Sequence, residues 1–369
     1  MDSVITSPPY YHYQQRSYGA STSELGRESS VAEYISNLVA VFKAIPLEPW
    51  ASIWVNIGDK RAKNGGLLNI PQRFCIAMCD AGFHLIDHVI WAKVSVRIDG
   101  TSVGQAMIEP APRRLNGNGH EPFYHFVLDP RQAWSDTCAV RIPRKNVDDI
   151  RYLPETLMRC HTSMEGRNLT NVWNVPMGQT AESHYAVFPP ALIERPVAMT
   201  CPLEITAQGP KRRIIEMVAY EESRPVKRGI GKYTKPEEET RLKSGRQDTG
   251  RQYVPRKPVT VGWEPDLPAI RRGIVLDPFC GTASTGEVAL KLGRDFIGIE
   301  LYEENAQIAG ERCRLAYILR SEFEAKNPLK ASTAAVSIHK GAHDPCAGVS
   351  RYESSPQTEA SRFYLGDLQ

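Results

Sequence analysis

The sequence predicts an α/β fold built on a parallel sheet, and three observations carry that expectation. Residues 273–301, GIVLDPFCGTASTGEVALKLGRDFIGIEL, read as a strand, a tight glycine turn, a helix and a second strand. Short apolar runs of strand length alternate with segments of helical apolar spacing elsewhere in the chain. The run containing Ile274 ends at Asp277 and the run containing Ile297 ends at Glu300. Carboxylates therefore stand at strand tips, where open α/β sheets bind their ligands.

Taken from the start, Val4 and Ile5 form a minimal strand that runs into Thr6-Ser7-Pro8-Pro9-Tyr10. Two prolines force an extended turn there. It directs the Pro8 carbonyl outward beside the Ser7 hydroxyl, with an aromatic ring directly after. The same letters suit a proline-rich tail or a Pro-Pro-Tyr ligand for a WW-type module, but the apolar pair before the turn favours a strand. Residues 11–27 are polar and read as a loop able to close over a substrate. Helical spacing follows over residues 31–42, a buried strand over 50–57, a helix over 70–82 and a strand over 83–91. Periodicity is lost over residues 93–113. HEPFYHFV, residues 120–127, is another strand, whose His120 and His125 read as ordinary sheet residues rather than metal ligands. Residues 131–179 are irregular and rich in Arg, Asn and Trp. Phe188-Pro189-Pro190 then opens a helix through Leu192, Ile193 and Val197.

In the 273–301 unit, Gly281 makes the turn, Thr282, Ser284 or Thr285 is expected to cap the helix, and Gly293 stops it. Glu300 at the second strand tip suits both hydroxyls of a ribose, while the first turn holds the rest of a nucleoside ligand. GxGxxG is absent, and an acid stands where a pyrophosphate would want bare amides, which disfavours NAD and FAD. S-adenosylmethionine, with its positive sulfonium and ammonium, is compatible with Asp277. A plain αβ unit without a ligand is the other reading of this stretch.

Composition narrows the class. At 369 residues and 41% hydrophobic content the chain is long enough for one large domain with an insertion, or two. No apolar run reaches about 18 residues, and the N-terminus lacks a basic segment followed by an apolar one. Neither a membrane span nor a signal peptide is expected, so the cytoplasm is the default. Eight cysteines occur without a CxxC pair; Cys75 and Cys79, at helical spacing, read as reduced and buried rather than zinc-bound. The net charge of +3 conceals an asymmetry. Over residues 210–272, sixteen Lys and Arg stand against nine Asp and Glu, an excess of seven, which leaves −4 for the rest. A solvated loop or a polyanion partner explains that concentration equally well.

TSPPY at residues 6–10, NIGD at 56–59, HYAVFP at 184–189, LDPFCGT at 276–282 and IGIEL at 297–301, in this order, resemble the β-group DNA amino-methyltransferases. That resemblance implies a three-layer, Rossmann-like, S-adenosylmethionine-dependent methyltransferase fold, circularly permuted, with an inserted recognition region. Residues 1–140 become the catalytic half, 141–272 the target-recognition region and basic insertion, 273–323 the cofactor-binding half, and 324–369 a linker with a C-terminal strand. NVWNVP, residues 171–176, resembles a segment the family carries before its cofactor half, and a target-facing region is expected around it.

The implied reaction moves a methyl group from S-adenosylmethionine to an exocyclic amino group in duplex DNA after base flipping. That nitrogen is a poor nucleophile because its lone pair is delocalised into the ring. In the family's scheme Ser7 and the Pro8 carbonyl accept the two amino hydrogens, Pro9 completes the turn, and Tyr10 stacks on the base. Asp277, Phe279, Gly281, Thr282 and Glu300 line the cofactor pocket, and Phe188 packs on the methionine portion. A YxGD-like element, Phe363 to Asp367, is expected to dock between the cofactor half and the Val4-Ile5 strand, bringing Asp367 to the adenine amino group. Serine at position 7 accompanies cytosine-N4 methylation more often, which favours cytosine over adenine-N6. A catalytically inactive DNA-binding relative is a further reading, motivated by the shortness of the first strand. Methylation at cytosine carbon-5 is rejected, since Pro345-Cys346, the only Pro-Cys pair, lies in the low-complexity tail. A restriction endonuclease partner leaves no mark in these residues. Two departures from the family pattern stand out: the long basic segment 203–272, and Ala283 in place of a glycine in the turn.

Overall fold

A computed structural model of the chain describes residues 1–12, 24–96, 102–105, 119–141, 168–177, 188–219, 256–326 and 336–340. Strand β1 (Ser3–Thr6) is buried along its whole length and lies at the middle of the main sheet. It pairs in parallel with β2 (Ser52–Asn56) on one side and with β12 (Ile274–Asp277) on the other. Beyond β12 come β13 (Asp295–Glu300) and β14 (Val336–Lys340), both parallel. Beyond β2 the sheet turns antiparallel through β5 (His120–Val127), β3 (His84–Val96) and β4 (Ser102–Gln105), and β6 (Val172–Pro176) adds in parallel to β3.

Helices cover both faces because the strands alternate their side chains between them. On one face α1 (Val31–Ala44) and α2 (Ile70–Asp80) present Tyr34, Leu38, Phe42, Phe74 and Met78 to Val4, Ile53, Val55, Tyr124 and Phe126. Ser30 caps α1 by accepting the Glu33 N–H. On the other face Trp54, between Ile53 and Val55, donates its indole N–H to Thr200 at the end of α3 (Pro190–Thr200), which also packs on α4 (Ser284–Lys291). Helix α5 (Glu303–Lys326) packs on α4 in turn. The start of β1 is held by buried Asp2, which accepts from Trp50 Nε1, the Arg271 guanidinium and the Ile274 N–H.

Val4 and Ile5 are fully buried, which excludes an exposed WW ligand at this segment. Pairing on both sides, together with the Asp2 anchor, removes the reason to regard so short a strand as poorly held.

Several expectations are corrected. The strand expected over residues 83–91 continues to Val96 and pairs with β4, so a hairpin occupies part of the aperiodic stretch. NVWNVP is a sheet strand with Trp173 buried, because its apolar residues alternate into the core, rather than a target-facing loop. Helix α2 buries Ile70, Phe74 and Met78, so Cys79 and Ile76 fall on its outer side; Cys79 is exposed and Ile76 is 62% exposed. The slot expected for Phe363 to Asp367 is closed, since Ser3 and Val4 pair directly with Val275 and Leu276, and β14 occupies the position beyond β13. Phe363, Asp367 and the Pro345-Cys346 pair lie outside the described residues, as do residues 184–187 of HYAVFP.

The basic stretch contains regular structure. β7 (Glu204–Thr206), β8 (Gly209–Pro210) and β11 (Ala269–Arg272) form a small antiparallel sheet within the main unit. A second compact unit, Thr137–Leu169 with Arg212–Asp266, contains the antiparallel hairpin of β9 (Arg212–Ala219) and β10 (Arg256–Glu264), bulged between Thr260 and Gly262. In that hairpin the Arg213 guanidinium lies over the Trp263 ring and donates to Thr260.

Candidate active site

Parallel strands β1, β12 and β13 end at one edge of the sheet, and their tips are cross-linked. Thr6 Oγ1 donates to Asp277 Oδ1 at 2.5 Å, which joins the turn after β1 to the turn after β12. Asp277 is 3% exposed and also accepts from the Phe279 N–H at 3.1 Å and from Thr285 Oγ1 at 2.7 Å. Burial pushes its carboxyl up to about 6, against the pull of those three hydrogen bonds, with a smaller upward contribution from Glu300.

After Asp277 the backbone enters the left-handed region twice, at Gly281 (φ +51°) and Ala283 (φ +58°). A Cβ added to Gly281 would meet no atom within 4 Å, so the turn's backbone faces open space. The turn is held from β13: Glu300 Oε2 accepts the Gly281 N–H at 2.9 Å and Oε1 accepts the Tyr302 N–H at 3.0 Å. Arg312 of α5 donates to the Thr282 carbonyl, the Thr282 hydroxyl and the Ser284 hydroxyl. The N-cap of α4 is therefore Ala283, with no side-chain cap, and none of Thr282, Ser284 or Thr285 takes that role. Their hydroxyls are engaged with Arg312 and Asp277 instead.

The turn after β1 is held by more distant residues. Tyr34 of α1 donates its hydroxyl to the Pro9 carbonyl at 2.6 Å. Tyr10 lies so close to the backbone at Gly58 that a Cβ there would come within 2.6 Å of the ring, and glycine is required for the approach. The Tyr10 hydroxyl meets Glu121 Oε2 at 2.7 Å and Asn56 Oδ1 at 3.2 Å, and the Ser7 side chain hydrogen-bonds the same phenol. Burial foremost, and then the Glu121 charge, hold the phenol protonated well above the usual tyrosine range. Ser7, Pro9 and Tyr10 remain partly exposed, while Pro8 is buried. Asp59 of NIGD accepts the Asn69 and Ile70 N–H groups and so fixes the start of α2.

Ser7, Pro8, Pro9 and Tyr10 thus share the carboxyl edge with Asp277, Phe279, Gly281, Thr282 and Glu300. Phe188 stands at the start of α3, partly exposed, with its ring edge-on to Phe123 at 5.8 Å. His125 is a buried sheet residue, stacked on Trp54 at 4.2 Å and set between Asp87 and Ser52; burial lowers its basicity. Three residues escaped the sequence reading: Thr6, Lys93 and Glu121. Glu121 and Lys93 each interrupt an apolar strand run, in HEPFYHFV and in IWAKV, and buried charges of opposite sign usually occur as pairs.

A largely parallel sheet between helical layers, with two linked turns at its carboxyl edge, defines an α/β protein whose site lies outside the strand ends. The family model described as DNA methylase, of the N6/N4 methyltransferases, matches residues 1–204 and 267–311, and the chain belongs to that family. It is 24% identical over 342 residues to the type II methyltransferase M.SmaI of Serratia marcescens, covering 84% of this chain and 83% of that protein. It is 25% identical over 220 residues to the type II methyltransferase M.Cfr9I of Citrobacter freundii, covering 52% of this chain and 63% of that one. Among solved structures, the cytosine-N4-specific PvuII DNA methyltransferase superposes with a TM-score of 0.47 at 16% identity, over 85% of this chain and 79% of that one. Among the described residues, no helix is long and apolar enough to cross a membrane.

Proposed function

We propose that the protein transfers a methyl group from S-adenosylmethionine to the exocyclic N4 of a cytosine flipped out of duplex DNA. The observation that carries this reading is the Thr6–Asp277 hydrogen bond between neighbouring parallel strands, which holds the Ser7 turn beside the glycine turn. The residues that would hold the cofactor are Asp277, Phe279, Gly281, Thr282 and Glu300, with Phe188 toward its methionine portion. They fit it in two respects: the backbone at Gly281 is open, and Glu300 Oε2, engaged by the Gly281 N–H, retains a lone pair for a hydroxyl. S-adenosylmethionine supplies an electrophilic methyl on a sulfonium.

The chain's own residues make the amino nitrogen reactive. Ser7 and the Pro8 carbonyl accept its two hydrogens, which draws the lone pair out of conjugation with the ring and toward tetrahedral geometry. Tyr10 stacks on the base, and no covalent enzyme intermediate is involved. Serine at position 7 is what favours cytosine-N4 over adenine-N6. The chain order follows a permuted scheme, with residues 1–140 catalytic, 141–272 facing the target and its phosphates, and 273–323 holding the cofactor. Residues 205–266, which the family model leaves unmatched, contain the β9–β10 hairpin and support an insertion there.

Base-resolved sequencing of DNA from cells expressing the chain, against an unmethylated control, tests the reading. N4-methylcytosine at a fixed sequence is the expected result. N6-methyladenine would reassign the base, and DNA modified at neither position would overturn the assignment.

A further inference from the structure

The buried ion pair of Lys93 and Glu121 has no part in the reaction as described above. Both residues are only 8% exposed, and Lys93 Nζ lies 2.5 Å from Glu121 Oε1. Taking two charges out of water is costly, and a well-packed apolar pair often serves stability as well or better. This pair instead stands one hydrogen bond from the Ser7 turn, because Glu121 Oε2 is 2.7 Å from the Tyr10 hydroxyl.

The direction of the hydrogen bonds follows from what each group can do. Lys93 has donors only, and Glu121 has acceptors only. Asn56 donates its amide N–H to the Pro122 carbonyl, which leaves Oδ1 as the atom facing the phenol, and that too is an acceptor. The phenol must therefore donate toward Glu121, the closer and charged partner, and its oxygen is left to accept. Ser7 is the side chain that hydrogen-bonds this phenol, so its hydroxyl proton points inward to Tyr10. Its oxygen lone pairs then remain for an incoming amino hydrogen. If the chain ran the other way, Ser7 would present a hydrogen to the hydrogens of the amino group.

We infer that Glu121, neutralised by Lys93, is a positioning residue that sets the direction of the Glu121–Tyr10–Ser7 hydrogen-bond chain, so that Ser7 offers a lone pair to the target amino group. The inference rests on the proposal that this turn acts on a base amino group. It concerns a residue that touches neither the base nor the cofactor.

Steady-state methylation of duplex DNA by the purified full-length chain tests it. Glu121→Gln keeps the shape but brings an amide N–H that can donate to the phenol and reverse the chain. The expected result is a fall in kcat of at least about tenfold, with KM for DNA and cofactor affinity within about twofold of wild type. In a Ser7→Ala background the same substitution should cost little more, because there is no hydroxyl left to orient. A Glu121 that merely placed the Tyr10 ring would lower the residual activity of Ser7→Ala by its full factor again. Where Glu121→Gln folds poorly with Lys93 left unpaired, Glu121→Gln combined with Lys93→Met removes both charges and should show the same loss in kcat. Wild-type kcat in either form, or a full multiplicative loss on Ser7→Ala, would overturn the inference. A wild-type chain that methylates no DNA would instead overturn the functional reading beneath it.

Discussion

The turn after β12 is tied down by residues close to it in sequence: Thr285 is 8 positions from Asp277, Glu300 is 19 from Gly281, and Arg312 is 30 from Thr282. The turn after β1 depends on residues farther off, with Tyr34 25 positions from Pro9, Asn56 46 from Tyr10 and Glu121 111 from Tyr10. Both sit at one sheet edge and share the Thr6–Asp277 bond. The difference teaches that cofactor binding is a nearly local property of this chain, whereas its reactive turn is assembled by the whole catalytic half. Substitutions far from residues 6–10 are accordingly able to silence the chemistry while sparing the cofactor pocket.

The largest expected separation comes from the reactive turn itself. Ser7→Ala or Tyr10→Ala should lower methyl transfer by at least about tenfold while calorimetry without DNA finds S-adenosylmethionine binding largely kept. Near-normal turnover in both variants would remove the basis for two differently acting turns.

The converse holds across the shared bond. Glu300→Ala leaves the Gly281 N–H without its carboxylate, and Asp277→Ala strips partners from Thr6 and Thr285. Each should weaken cofactor binding and cost about 1–3 kcal/mol of stability for a donor left unsatisfied. Asp277 also carries a pH signature. Its folded carboxyl, at about 6, lies above the ordinary value of 3.8, so between those limits the folded state binds more protons than the unfolded one. Stability should therefore fall as pH rises from about 4 to about 6, by on the order of 3 kcal/mol from this group, and change no further above that. Melting curves of the wild type and of Asp277→Asn across this window should differ by that slope; parallel curves would show that the carboxyl titrates normally.

Gly58→Ala is a smaller, one-sided probe. The added Cβ meets the Tyr10 ring at 2.6 Å, so the ring must shift. A lower kcat with unchanged cofactor affinity is expected, whereas equal losses in both would mean that the reactive turn is not separable from the pocket. The smallest effect is expected at Ala283, held at φ +58°. Ala283→Gly relieves a left-handed conformation costing about 1–2 kcal/mol, offset in part by the roughly 0.5–1 kcal/mol of extra chain entropy that glycine loses on folding. A gain of no more than about 1 kcal/mol in chemical denaturation, with cofactor binding retained, would mark this turn as locally determined; a loss would show that Ala283 has a packing role.

Much of the architecture was legible in the sequence. β5 begins and ends where the alternation in HEPFYHFV places it, and α1, α2 and α3 fall within a few residues of their apolar periods. The extended β3, the sheet role of NVWNVP and the outward side of α2 were not, since each depends on which partner covers a face. The docking site imagined for Asp367 failed for the same reason: direct pairing of β1 with β12 is a property of the assembled sheet, absent from either strand's own residues.

The sequence by itself determined the strand–turn–helix–strand of residues 273–301, the proline turn after Val4-Ile5 and the order of the two halves. Local backbone preferences and apolar periodicity act over a few residues and leave their mark in the letters. Only the tertiary structure decided that Thr6 bonds to Asp277, that Glu300 closes the glycine turn through main-chain N–H groups, and that Lys93 and Glu121 stand behind Tyr10. A hydrogen bond needs its partners within about 3 Å, and only the register of strands far apart in the chain brings these groups that close.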